Sequence, residues 1–166
     1  MNDTQTVLFA TESLVIFSSE WIDRLKTMAL GAPLKRARYC LHLSHNDPVQ
    51  EMVIVLHRDS YIRPHRHQNK MESFHMIEGE VLVAFFYDSG ELRQVLHLSA
   101  DNKSPEKCSI YRLSEPWWHT VVPLTEFAVF HEVSTGPFSS SEYPFWEPKS
   151  PEDIVSFKGA IMKDFK

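Results

Sequence analysis

Eight short strand-like segments follow one another in the middle of this 166-residue chain, and they restrict its fold more than any other feature. β-Branched and aromatic residues fill these segments, and turn sequences separate them, such as HNDP at 45–48, EGE at 78–80 and DSG at 88–90. Many short strands at nearly even spacing indicate an antiparallel sandwich or a closed barrel. The predicted strands cover residues 35–43, 51–56, 72–77, 81–87, 91–98, 108–113, 120–122 and 127–133.

Two helices are predicted to flank the strands. In the first, the serine pair at 18–19 can cap the N-terminus, and Gly31 ends the helix. The apolar stripe of this helix consists of Trp21, Ile22, Leu25, Met28 and Ala29. In the second, Ser150 is the cap and Pro151 is the first helical residue. The apolar face of this helix consists of Ile154, Val155, Phe157, Ile161 and Met162.

The chain has the length of one domain that buries its own core without disulfides. We expect an N-terminal strand and helix over residues 1–34, a barrel over 35–138, and a crossing segment with the last helix over 139–166. The strand-like segment 14–17 is available for exchange between two copies. A homodimer is therefore expected.

Charge and cysteine content narrow the partners and the compartment. The net charge is −5 and the basic residues are scattered apart from KRAR at 35–38, which excludes a nucleic-acid footprint. The two cysteines, Cys40 and Cys108, are too few for a disulfide framework and are expected as free thiols. Since neither a leader pattern nor a run long enough to span a membrane is present in the sequence, a cytoplasmic protein is expected.

The sequence PHRHQNKME at 64–72 carries the chemistry. Side chains two positions apart on a strand share a face, so His65 and His67 project together and Arg66 projects to the other side. The four residues that follow allow the chain to reverse, after which Glu72 opens the next strand and can face both imidazoles. Two imidazoles and a carboxylate suit one divalent ion of zinc, iron, manganese, nickel or copper.

This motif, together with Gly79, resembles the first sequence motif of the cupin superfamily, with Asp59 where cupins usually have glycine. The resemblance implies a mainly β, single-domain cupin, that is a jelly-roll barrel or double-stranded β-helix, with a helix at each end. The second cupin motif should supply a further histidine. His119 has the matching position, although the residues around it depart from that motif. The implied metal ligands are His65, His67, Glu72 and His119.

A finer pattern covers most of the chain. It consists of Arg36, Arg38, Cys40, His42, the stretch 50–52, Tyr61, PHRH at 64–67, KMESFH at 70–75, EGE at 78–80, His131, Glu132 and the stretch 136–138. This pattern resembles the WbuC-type cupin-fold metalloproteins, and the resemblance implies a metal-binding cupin with a link to O-antigen polysaccharide biosynthesis.

Several polar residues are candidates for binding a small-molecule substrate, such as a carbohydrate. On the strand at 35–43 two arginines and a histidine share one face, where they can clamp a carboxylate or phosphate or form a solvated face. Other candidates precede the first metal ligand at even spacing or lie in the turn after it. The candidates are Arg36, Arg38, His42, Tyr61, Arg63 and Lys70.

Three functions remain open at this stage. A metal with three imidazoles and one carboxylate keeps positions for substrate, which favours an enzyme, either an isomerase or epimerase of sugar acids or an oxygenase. The same site can bind a saccharide without reaction, or the metal can serve only to stabilise the barrel. The sequence identifies no general acid or base, so the catalytic residues are unknown.

Overall fold

The structure, a computed structural model, describes residues 6–101 and 103–165, which form ten strands and two helices. Most of these residues lie in or between strands, so the predicted mainly β class is confirmed. In chain order the elements are β1 (Val7–Phe9), α1 (Ser19–Gly31), β2 (Arg36–Cys40), β3 (Val49–His57), β4 (Glu72–Glu78), β5 (Glu80–Phe86), β6 (Leu92–Ser99), β7 (Lys107–Cys108), β8 (Ile110–Leu113), β9 (Trp118–Pro123), β10 (Phe127–Thr135) and α2 (Pro151–Asp164).

Two sheets face each other and enclose the main core. One has the strand order β1-β2-β3-β10-β4-β8 and the other β7-β6-β5-β9. Neighbouring strands are antiparallel except for the pairs β1–β2 and β6–β7. Alternation places Phe74 and Met76 of β4 between the sheets and turns His75 outwards. The buried residues between the sheets are Leu56, Phe74, Met76, Val81, Val83, Phe85, Leu98, Tyr111, Leu113, Val121, Ala128 and Phe130.

The two helices cover the outer faces of the sheets. Leu25 and Ala29 of α1 are fully buried against the outer face of β2, β3 and β10. Ile161 and Phe157 of α2 pack on the outer face of β5 and β9. The barrel is therefore closed on both sides by apolar packing, which leaves its ends for chemistry. Neither helix in the described part of the chain is long and apolar enough to cross a membrane.

Both predicted helices are confirmed, with one difference in α2. Ser18 is the N-cap of α1, while Ser150 caps α2 and its side chain accepts the backbone N–H of Asp153 in a capping box. Val155 and Met162, which were predicted on the apolar face, are 71% and 39% exposed. The reason is helical geometry: Phe157 and Ile161 contact the sheet, and Val155 and Met162 project about 100° or more away from that contact stripe.

The N-terminal strand lies earlier than predicted. Residues 14–17 form no strand, and Leu14 and Ile16 are 76% and 73% exposed. The strand is β1, which pairs in parallel with β2. The alternation at 14–17 has another cause, because Val15 and Phe17 are partly buried against the cluster under α1. Exchange of residues 14–17 as a strand is thus not supported, and the homodimer stays a prediction.

Replacing Gly79 by alanine is expected to destabilise the fold. Gly79 turns the chain between β4 and β5 with φ of 74°, and a Cβ would lie 2.2 Å from the Phe127 carbonyl oxygen and 2.4 Å from Thr125 Oγ1. Gly79→Ala should lower the free energy of unfolding, measured in urea, by about 2 kcal/mol or more. Gly159→Ala, in an open helical position, should raise it by about 0.5–1 kcal/mol. Equal effects of the two substitutions would contradict this account.

Candidate metal centre

Backbone pairing brings three histidines together at one end of the barrel. The N–H of His65 donates to the carbonyl of His119 at 2.9 Å, and the N–H of His119 donates back at 2.8 Å. Directly opposed residues point to the same face, and the two ring centroids are 4.3 Å apart. His67 lies two residues further, and the ligand atoms of all three histidines lie within 4.8 Å of one another. Arg66 points the other way and stacks over Trp118 at 4.2 Å.

In His65 and His119, hydrogen bonds determine which ring nitrogen is free to bind a metal. Nδ1 of His65 lies 2.8 Å from the carbonyl oxygen of Arg63, and Nδ1 of His119 lies 2.9 Å from that of Trp117. A carbonyl only accepts, so each Nδ1 carries the hydrogen and each Nε2 keeps its lone pair. Nε2 of His119 is buried and faces Oε1 of Glu72 at 3.2 Å rather than a hydrogen-bond donor. A ring nitrogen and a carboxylate oxygen that face each other fit a cation between them.

Glu72 begins β4, and its buried carboxylate completes the group. Its Oε1 lies 3.2 Å from Nε2 of His119, and its Oε2 lies 3.8 Å from Nε2 of His67. The hydroxyl of Tyr111 donates to Oε1 at 2.8 Å. Burial opposes ionisation, but His119, His65 and the Tyr111 hydroxyl stabilise the carboxylate and lower the pKa of Glu72 to about 2. The group is therefore ionised, as a ligand must be.

The imidazoles are also in states that suit a metal. Burial, with repulsion from His119, lowers the pKa of His65 to about 3, and burial lowers the pKa of His67. Both rings are thus neutral at pH 7. Burial opposes charge on His119 as well, but the adjacent Glu72 carboxylate raises its pKa. A cation that binds here displaces that proton, so metal affinity should increase with pH.

The structure brings the four predicted ligands His65, His67, Glu72 and His119 together, and their donor set fits a divalent transition metal. Their role as ligands stays a prediction. The pocket beside them has a volume of about 10 Å³ and is bordered by Lys70, which leaves room for roughly one water molecule. Only a small ligand group reaches the site in this conformation.

The predicted substrate-binding residues do not form one group. Arg36 and Arg38 lie on the inner face of β2, and Lys70 lies at the rim of the pocket. Nδ1 of His42 lies 2.9 Å from both the backbone nitrogen and oxygen of Glu51, so this buried ring is held within the sheet.

Arg63 and Tyr61 contact the C-terminal segment. The guanidinium of Arg63 donates to both carboxylate oxygens of Glu147, at 2.8 and 2.7 Å, and stacks over Tyr143 at 3.7 Å. The buried hydroxyl of Tyr61 has no hydrogen-bond partner among the described residues, and burial, with the charge of Glu147, raises its pKa to about 12. Arg63 is thus already engaged by a carboxylate of the protein itself.

Two residues of the site escaped the sequence analysis as functional candidates. Tyr111 positions the carboxylate of Glu72, and Glu132 faces the inside of the barrel from β10. Burial, with the charge of Glu72, raises the pKa of Glu132 to about 7. Alternation offered a signal for Glu132, because Ala128 and Phe130 point inwards and Glu132 follows at the next inward position. Tyr111 has no comparable signal, since only the pairing of β8 with β4 brings it to the site.

Comparison with solved structures confirms the cupin-type fold. Protein SO0799 from Shewanella oneidensis is 12% identical, with a TM-score of 0.52 over 71% of this chain and 75% of that one. A structure of oxalate decarboxylase, which has the cupin fold, is 15% identical, with a TM-score of 0.51 over 65% of this chain and 28% of that one. At such identities the likeness concerns the fold alone.

Other comparisons add less. An HTH_3 family transcriptional regulator from Vibrio cholerae is 20% identical over 62% of this chain, with a TM-score of 0.46. The chain spans about half of that regulator and about a quarter of the decarboxylase. A family model described as "Domain of unknown function (DUF6016)" matches residues 17–98. No curated protein matches the chain. The finer WbuC-type resemblance stays a prediction.

Removal of one imidazole should abolish metal binding. Wild-type protein should bind about one equivalent of Zn²⁺ or Ni²⁺, and a free metal concentration of 100 times Kd should stabilise it by about 2.7 kcal/mol. His65→Ala should show neither effect in calorimetry and thermal unfolding. His75→Ala is the matched control, because this exposed side chain lies on the outer face of β4. Unchanged metal binding by His65→Ala would exclude this site.

The Tyr111 hydroxyl should strengthen the metal site through Glu72. Tyr111→Phe removes the hydrogen bond that orients the carboxylate, so metal affinity should fall about ten- to a hundredfold. Tyr61→Phe removes a buried hydroxyl that has no hydrogen-bond partner in the described part of the chain, and should leave metal affinity unchanged. Competition titration against a chromogenic chelator measures both. Equal affinities of the two variants would show that the Tyr111 contact is irrelevant.

Proposed function

We propose that this cupin-fold chain is a metal-dependent enzyme that acts on a small metabolite of the sugar or sugar-acid type. The observation that carries the proposal is the group of His65, His67, Glu72 and His119, in which the buried Nε2 of His119 faces the Glu72 carboxylate. Four protein ligands leave one or two positions of a divalent ion for a ligand oxygen. Open coordination is typical of catalytic rather than structural sites.

A bound divalent metal would supply Lewis acidity toward a substrate oxygen, which suits isomerisation or epimerisation next to a carbonyl. The chain's own residues have separate tasks. Tyr111 holds the Glu72 carboxylate, and Trp117 borders the small pocket and limits access of water. Glu132 faces the same interior, and its pKa of about 7 suits a group that takes up and releases a proton at neutral pH.

The biological setting rests on sequence resemblance. The WbuC-type pattern supports a role in polysaccharide biosynthesis, where sugar acids and keto sugars are substrates. A non-catalytic, saccharide-binding role of the same site is the alternative. The two functions differ in whether the bound compound changes chemically.

Proton exchange at carbon is the sharpest test of catalysis. Protein loaded in turn with Mn, Fe, Co, Ni or Zn is incubated in D₂O with a panel of sugar acids, keto sugars and nucleotide sugars. We expect deuterium incorporation or a new product, detected by NMR, for at least one pair of metal and compound. Activity should be lost in His65→Ala and retained in His75→Ala.

Binding without a chemical change would favour the alternative function. Tight binding of a compound that is recovered unchanged and without deuterium, with every metal, would replace the enzyme by the saccharide-binding protein.

A further inference from the structure

Two arginines of β2 point into the barrel. Arg36 and Arg38 pair across the sheet with Leu56 and Ile54, which belong to or pack against the core between the sheets. The alternate residues of β2, Ala37 among them, are buried on the other side, under α1. Alternation therefore requires that both guanidinium groups rise from the inner face, which is also the face that carries Glu72.

These arginines have no ion-pair partner in the part of the chain that the structure describes. Neither side chain forms an ion pair or a hydrogen bond with any residue in the ranges 6–101 and 103–165, and Nε of Arg38 is buried without a partner. Both residues are half-buried. Burial, together with the charge of Arg38, lowers the pKa of Arg36, so the two groups repel each other. A buried guanidinium normally has a carboxylate or phosphate partner.

Glu132 does not fill that role. Its charge acts on Arg38, but no ion pair joins them, and burial raises the pKa of Glu132 so that its negative charge is incomplete at neutral pH. The inward-facing residues of β2, β3, β10 and β4 pair in rows across the sheet. Glu132 of β10 lies in the row between that of Arg38 and that of Glu72, and Glu72 itself pairs with Ser134. The order along the inner surface is thus arginine, carboxyl group, metal ligand.

A third cation borders the small pocket at the metal residues, which neither arginine lines. Lys70 borders the pocket beside His67 and Glu72, and its ammonium lies 5.5 Å from the centre of the Phe138 ring. It likewise forms no ion pair with the described residues. Glu72 and Glu115 border that pocket as well, so the surplus of positive charge lies on β2, at Arg36 and Arg38. Such a surplus favours an anionic ligand.

The register places the arginines away from the metal residues. Three strand spacings, about 14 Å across the sheet, separate β2 from β4, and the row of Arg38 lies four residues, about 13 Å, from the row of Glu72 along the strands. The arginines therefore form a site of their own on the inner face of β2.

We infer that Arg36 and Arg38 bind the anionic end of the substrate, a carboxylate or a phosphate, on the inner face of β2. This inference rests on the proposed function and specifies its substrate class. A neutral saccharide lacks the group that these cations need. The arginines, rather than the metal, then select the substrate.

Simple anions test this site directly. Metal-loaded protein is titrated with malonate, inorganic phosphate and the neutral malonamide at constant ionic strength, and binding is followed by calorimetry and thermal unfolding. At least one anion should bind ten times more tightly than malonamide. The anion that binds more tightly shows whether the site prefers a carboxylate or a phosphate. Metal content is measured again after each titration, so that chelation by the anion is detected.

Variants separate recognition from folding. Arg38→Gln should weaken binding of the preferred anion at least tenfold. Arg38→Lys should weaken this binding less, because lysine keeps the charge and loses only the planar guanidinium group. Without anion, Arg38→Gln should unfold at the same or a higher temperature than wild type, since it removes an unpaired charge. Arg24→Gln is the matched control on the exposed surface of α1 and should behave as wild type.

The outcomes are decisive. If both anions bind no better than malonamide, or if Arg38→Gln binds them as wild type does, the inference is overturned. Arg38→Gln must also keep the metal stoichiometry of wild type. Anion binding that depends on Arg38 in protein that binds no metal would support the anion site and refute the proposed enzyme. A loss of metal binding in His65→Ala tests the metal site only and does not contradict the anion site.

Discussion

The pair of backbone hydrogen bonds between His65 and His119 is the contact on which the site depends. It joins the segment before β4 to β9, the edge strand of the four-stranded sheet. Because directly opposed residues in antiparallel pairing share a face, the same two bonds that close this end of the barrel also align two imidazoles. The carbonyl groups of Arg63 and Trp117 then orient the rings. Closure of the fold and assembly of the site are thus one event.

The location of the ionisable residues in the interior depends on which part of the space between the sheets is filled by apolar side chains. On β10 the inward side chains Ala128 and Phe130 are apolar, and Glu132 is the first ionisable group of that strand to face the interior. Alternation on β2 predicted that Arg36 and Arg38 share a face. It did not decide whether that face meets solvent or the barrel. The packing of α1 on the other face decides this, because Leu25 at the centre of α1 needs that surface.

The site residues that lie close together in the sequence could be predicted from local patterns, and those from distant segments could not. His65, His67 and Glu72 lie within one short stretch, where strand alternation and a tight reversal determine their geometry. His119 comes from the opposite sheet, so only the family resemblance indicated it. Tyr111 reaches Glu72 through the register of β4 with β8, which no local pattern encodes. The strands and helices were predictable for the same reason as the first three residues, since their patterns are local.

The ligand-bearing segment is held on its second edge as well. Arg66 pairs with Glu142 through two backbone hydrogen bonds, at 3.2 and 3.0 Å, and through an ion pair at 2.7 Å. Ser141 places its hydroxyl 3.4 Å from Nδ1 of His67. The segment therefore behaves as a short central strand between His119 on one side and Glu142 on the other. Its imidazoles are positioned by backbone pairing on both edges, and such preorganisation favours metal binding because it lowers the ordering that binding requires.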